Sequence, residues 1–268
     1  MTGDGTMNIP AGFDVFNLTG GASSKTTTIA LPSNGSDLDV YGTLTVDGGT
    51  LTDTNNADVI IRGTAPPVVN GSSTLENLWR IQNVNNMTMP ATTFNHLLVT
   101  SSSTCTAGGN MTVNGGLTIS SGSTFNANAN TIAAQAVDSD GTLNITNSEL
   151  NFSVTSSGDS IDLDSGSTLL TGNTTLTGNG SANTLATIPS AGNFEVVGDV
   201  SNLAIQGNGD LTVIGSVTGC TLADSTANIR QFHHTLDTQQ LLDADEAGDD
   251  DLKLEKPALD NAVELQTG

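Results

Sequence analysis

The sequence predicts an all-β fold, a right-handed parallel β-helix or β-solenoid, on three observations. From Gly115 to Gly219 a short apolar/Thr phrase is followed repeatedly by Gly, Asn, Ser or Asp, the self-similarity of a repeat architecture. Inside each phrase apolar residues alternate with Thr, Asn or Ser, as in Leu117/Ile119, Leu143/Ile145 and Ile161/Leu163. That is the period of two of a strand with one buried face. The aromatic residues are only seven Phe, one Tyr and one Trp, which suits a narrow core of stacked aliphatic rungs better than a sandwich core with bulky anchors. Blocks of 26 residues (115–140, 141–166 and 167–192) bring Leu117, Leu143 and Leu169 into one column, and Ile119 and Ile145 into another. A β-sandwich with Gly-rich hairpins is the alternative architecture.

Residues 1–36 hold the apolar positions Ile9, Phe13, Val15, Phe16 and Leu18 and then the Thr-rich SSKTTTIAL. They predict an N-terminal arm or cap, because an uncovered end rung is an unpaired strand edge. Residues 37–228 form the solenoid body, in which Val46-Asp47-Gly48-Gly49 parallels Val113-Asn114-Gly115-Gly116. About residues 63–90, Pro66-Pro67 and LENLWRIQNVNN break the rhythm, which predicts a side loop or irregular rung holding Trp79 and Arg80. From Ile229 to Gly268 the chain is acidic, poor in glycine and helix-permissive, and reads as a tail.

Net charge is −22, although charged residues make up only 13% of the chain. The imbalance comes from missing cations: no Lys or Arg lies between Arg80 and Arg230. A phosphate-binding surface needs Lys or Arg to displace condensed counterions, so nucleic acid and anionic membrane are poor partners. The charge favours solubility, a basic protein partner or divalent cations. The two cysteines, Cys105 and Cys220, are too far apart along a stack of rungs to bridge and read as small buried hydrophobes. The first residues show no basic n-region or long apolar stretch, so no secretory signal is visible, and no stretch approaches a membrane-spanning length. The expectation is a chain used where it is made, the alternative being a sequence that begins after a removed signal.

The phrase LTV-x-GG-LTI-x-SG-S-T-F, over about residues 40–220, resembles the β-solenoid repeats of bacterial surface adhesins and autotransporter passengers. It is equally similar to those of bacteriophage tail fibres and tailspikes. For phage fibres the resemblance implies a homotrimer that attaches through its N-terminal part and exposes its shaft. It transfers a fold more securely than a function.

Candidate chemistry is sparse. Asp159, Asp162 and Asp164 in GDSIDLDSG place two carboxylates on one strand face, which could serve calcium binding or glycoside hydrolysis but read first as the outward polar residues of a half-buried strand. Asp138 and Asp140 read as turn residues, with Gly141 taking the awkward dihedral. Asp243 and Asp245, with Gly248 following, match the start of a calcium loop. Ala247 and Leu254 stand where two further ligands belong. No cofactor is expected, calcium being the one ion to which these residues would point. His233 and His234, beside Arg230 and Phe232, read as a docked tail contact rather than a metal site. With Phe13 and Phe16 they are the expected partner-docking residues.

Lyases on β-helices generally use a basic residue, and sugar hydrolases line their grooves with Trp and Tyr. The repeats have no Lys or Arg and the chain has one Trp and one Tyr. His96 lacks a nucleophile-elbow context, so catalysis is not expected. The expected function is a non-enzymatic virion structural or surface protein: a fibre, spike or capsid decoration on the particle surface. Its partners would be itself as a homotrimer, other particle proteins and a host-surface glycan. A cell-surface adhesin or extracellular filament subunit is the alternative, and a depolymerase tailspike the third reading.

Overall fold

The computed structural model describes residues 4–10, 14–20, 24–30, 37–53, 58–70, 74–152, 158–163, 168–178, 184–188, 193–207, 210–222 and 228–232. Among them all regular structure is β, and the strands pair in parallel with the strands one turn earlier and later. The fold is a parallel β-solenoid.

The chain passes three faces in turn. The first face carries Gly5–Asn8, Thr26–Ala30 and Thr50–Asp53, then the opening residues of the long strands Thr74–Gln82, Thr93–Thr100, Met111–Ile119 and Thr131–Ser139. Glu149–Phe152 and Thr174–Thr177 continue it. The second face takes Leu38–Val40, Asp58–Ile61, the closing residues of the same long strands, and then Gly158–Leu163, Thr184–Ile188 and Ala204–Gly207. The third face is made of shorter strands: Leu18–Gly20, Leu44–Asp47 and Val68–Asn70 in one sheet, and Met87–Met89, Thr104–Ala107, Thr124–Asn126, Thr142–Asn144 and Thr168–Leu170 in another. A register shift between Phe94 and Leu97, and again between Val113 and Gly116, marks where a long strand bends from the first face to the second.

Alternation along each strand sends every second side chain inward, and in-register pairing then stacks like on like. Leu38, Val59, Trp79, Leu97, Leu117, Val137 and Ile161 form one inward column. Val40, Ile61, Ile81, Val99 and Ile119 form another beside it. On the third face Met87, Cys105, Phe125, Leu143 and Leu169 are stacked. Most of these side chains are fully buried and belong to one continuous core, each apolar side chain contributing about 1.5–3 kcal/mol. Trp79 meets Phe94 edge-on, with ring centroids 5.8 Å apart.

The pairings revise the fixed 26-residue repeat. Leu143 and Leu169 do share a column, but Leu117 lies on the second face, between Leu97 and Val137. Turns differ in length: hydrogen-bonded neighbours on successive rungs are 18 residues apart at Asn126 and Asn144, and 26 apart at Thr171 and Val197. Corners of different length absorb the difference while the strands keep register. The region around 63–90, read as a side loop or irregular rung, holds the paired strands Val68–Asn70, Thr74–Gln82 and Met87–Met89, with Trp79 in the core and a register shift where Thr74–Gln82 meets Thr93–Thr100. Within residues 1–36 the described strands Gly5–Asn8, Leu18–Gly20 and Thr26–Ala30 pair in parallel with one another or with strands of the body. At the other end, Asn228–Phe232 pairs with Asp210–Ile214, so the stack runs four residues past the expected boundary.

The corners explain the Gly and Asn content. Asn83, Asn86, Asn128, Asn147, Asn173 and Asn202 have positive φ, the region Asn tolerates better than other side chains. Gly141 is needed for a different reason from the one its sequence suggests. Its φ is not positive, but an added Cβ would lie 2.5 Å from the Ser123 carbonyl oxygen and 2.6 Å from that of Ser120. Buried hydroxyls close neighbouring corners: Ser103 Oγ accepts from the Val84 N–H (3.1 Å) and Thr174 Oγ1 donates to the Ile145 carbonyl (2.8 Å).

Two glycines test this packing. Gly141→Ala should destabilise the fold by about 1–3 kcal/mol, the range of overpacked interiors. Gly116→Ala, whose Cβ would meet nothing closer than 3.9 Å, should shift stability by less than about 0.5 kcal/mol. Urea unfolding of the two variants measures the difference.

Candidate binding groove on the third face

Outward positions of the third face repeat a polar phrase. In register, Thr104, Thr124, Thr142 and Thr168 form one column, and Thr88, Thr106, Asn126 and Asn144 the next. The rungs between them are about 4.8 Å apart. The Asn144 amide donates to Asn126 Oδ1 (3.1 Å), and the Asn126 amide to Thr106 Oγ1 (3.4 Å). Asn144 Oδ1 accepts from the Thr146 N–H at 3.1 Å. The corner after this face rises as a wall, with Asn128 tied to the Ala107 carbonyl at 3.3 Å and Asn130 bound to the same oxygen at 3.3 Å. Floor and wall border a shallow, open groove of about 390 Å³ lined by Thr106, Asn126, Asn128, Ala129, Asn144, Thr146 and Asn147. Ala129, at φ 59°, holds a conformation that costs a side chain other than Gly or Asn of order 1 kcal/mol.

Sequence reasoning missed this groove. The signal was there, as Thr104-Cys-Thr106, Thr124-Phe-Asn126 and Thr142-Leu-Asn144, but the 26-residue frame placed these phrases out of step.

The residues singled out from the sequence lie elsewhere. Asp162 pairs in register with Asp138 on the outer side of the second face, while a register shift separates Asp159 from Ile161. Asp164, Asp243 and Asp245 lie outside the described residues, as do Phe13, His233 and His234. Among the described residues no group of three or more His, Cys, Asp or Glu is placed to hold a metal ion. Arg230 and Phe232 sit on the strand Asn228–Phe232. Phe16 is 72% exposed, and Tyr41 on the next rung is 45% exposed. Their corner is tied by the Val15–Val40 bridge and the Tyr41 N–H donating to the Val15 carbonyl (3.0 Å). Arg62 one rung further on pairs with Asp39 at 2.6 Å. His96 is exposed at the bend between the first two faces, where its Nδ1 accepts the Gly116 N–H at 3.0 Å.

Cys105 and Cys220 are buried free thiols. Burial raises the pKa of Cys105, and desolvation is also the largest influence raising that of Cys220. In the unfolded chain a thiol ionises near pH 8.5, whereas the folded Cys105 stays neutral well above that. The unfolded state therefore binds fewer protons in alkali, and this contribution to stability is lost as pH rises above about 8.5. Melting temperature should fall between pH 8 and 10, with a shallower fall in Cys105→Ala. Equal slopes would remove Cys105 from the cause.

Comparison of the chain with protein-family models, curated proteins and solved structures gives no match, so the functional reading rests on the fold, its surface and its groove.

Proposed function

We propose that the chain is a non-enzymatic structural protein of a virus particle surface, a fibre, spike or decoration component that serves assembly or attachment to a host surface. The observation that carries this reading is the exposed aromatic pair Phe16 and Tyr41 on neighbouring rungs near the N-terminal end of the solenoid. A stack with one continuous core is a stiff spacer, and large aromatics left in water on it are natural anchors for a partner. The anchored partner is a second copy of the chain or another particle protein, and the rest of the shaft remains free. The acidic, cation-poor surface suits an exposed soluble element.

Light scattering on the purified chain at micromolar concentration tests this. The expected result is an oligomer, a trimer above all, that Phe16→Ser/Tyr41→Ser converts to a monomer with an unchanged β circular dichroism spectrum. A double variant that assembles like the wild type would refute the anchoring role.

A further inference from the structure

We propose that the groove on the third face binds an uncharged saccharide, lying along the solenoid axis across the rungs of Thr106, Asn126 and Asn144. This rests on the attachment reading, in that a surface-attached glycan is the natural target of a displayed shaft.

The lining selects the ligand by its chemistry. Asn, Thr and Ala are its only residue types, so no cation is present to hold a phosphate, sulfate or uronate, and no carboxylate to hold a metal or an amine. Apolar ligands fare no better, because amides and hydroxyls would lose water without replacing its hydrogen bonds. A neutral polyol remains. Each amide side chain has two N–H donors and an oxygen with two lone pairs. The chain of bonds from Asn144 to Asn126 to Thr106 uses one donor of each amide and one lone pair of each amide oxygen, the Asn144 oxygen meeting the Thr146 N–H. The remaining donor and acceptor capacity is what vicinal hydroxyls of a sugar ring can satisfy. Thr106, Asn126 and Asn144 stand on three successive rungs, about 4.8 Å apart, so a short linear oligomer can touch all three before Leu170 ends the polar column. Ala129 and the Thr methyl groups supply the small apolar contact that a sugar's C–H face requires. The described groove has no aromatic platform, so a single groove should bind weakly, with a dissociation constant on the order of 1 mM. Several copies on one particle would raise the effective affinity.

The test is saturation-transfer NMR on the full chain with linear hexasaccharides of glucose, mannose and galactose, and with an oligouronate of the same length. At least one neutral hexasaccharide should show transfer, and the oligouronate none. Asn144→Thr keeps a residue suited to the outward strand position, and Asn147→Gly keeps the positive-φ corner. Each should weaken binding at least fivefold without altering the circular dichroism spectrum. Phe16→Ser/Tyr41→Ser should bind as the wild type does, which separates failure of the groove from failure of the aromatic anchor. Absence of transfer from all three neutral hexasaccharides, equal binding by the groove variants, or preference for the oligouronate would each overturn the proposal.

Discussion

Everything in this molecule depends on the parallel, in-register hydrogen bonding of each rung to the next. A parallel pair places a residue beside its counterpart one turn away, so the side chains of a column share one environment. Inward columns can then be mostly apolar and outward columns mostly polar, with exceptions such as the buried Ser139 after Ile119 and the exposed Leu170 after Asn144. The core is consequently long and thin. It is filled by Val, Leu and Ile with a few larger residues, among them Trp79, Phe94, Phe125 and Phe152. No residue far away in sequence has to be brought to a common centre, because each rung is completed by its neighbours.

The same constraint shapes the surface. A column that points outward repeats its chemistry at the rung spacing, which is how modest residues such as Thr106, Asn126 and Asn144 become a groove instead of isolated polar groups. Their mutual hydrogen bonds fix the side chains in place, so a ligand would meet a floor already ordered. The corners set the walls. Where the turn after the third face runs through Asn128 and Ala129 with positive φ, the backbone stands proud of the sheet and gives the floor a side.

The fold class was legible in the sequence because alternation is local: Leu117/Ile119 and Leu143/Ile145 declare a buried face without any knowledge of pairing. The pairing itself was only half legible. Leu143 and Leu169 do stack, but Leu117 belongs to another face, since the register depends on corner length and corners vary. Trp79 was harder to place for a related reason. Its Pro-rich and Asn-rich surroundings suggest a side loop or irregular rung, whereas the strand Thr74–Gln82 pairs in register with Asp58–Ile61 and, across a register shift, with Thr93–Thr100, and the column position decided its burial. Gly141 shows a further limit, since close approach of the Ser120 and Ser123 carbonyls is a property of the stack, invisible to turn propensity. The groove stayed hidden because it exists only once three phrases, each unremarkable alone, are superposed at the correct spacing.

The rung order is the central claim, and a spin-label distance tests it most directly. Labels at Thr88→Cys and Leu170→Cys would sit at opposite ends of one outward column, with the buried Cys105 and Cys220 left in place. Four rung steps separate them, which predicts a Cα separation of about 19 Å and a single narrow distribution. A broad distribution, or a mean beyond about 30 Å, would contradict the stacking of Met87–Met89, Thr104–Ala107, Thr124–Asn126, Thr142–Asn144 and Thr168–Leu170 on one face, since that spacing fixes their reach.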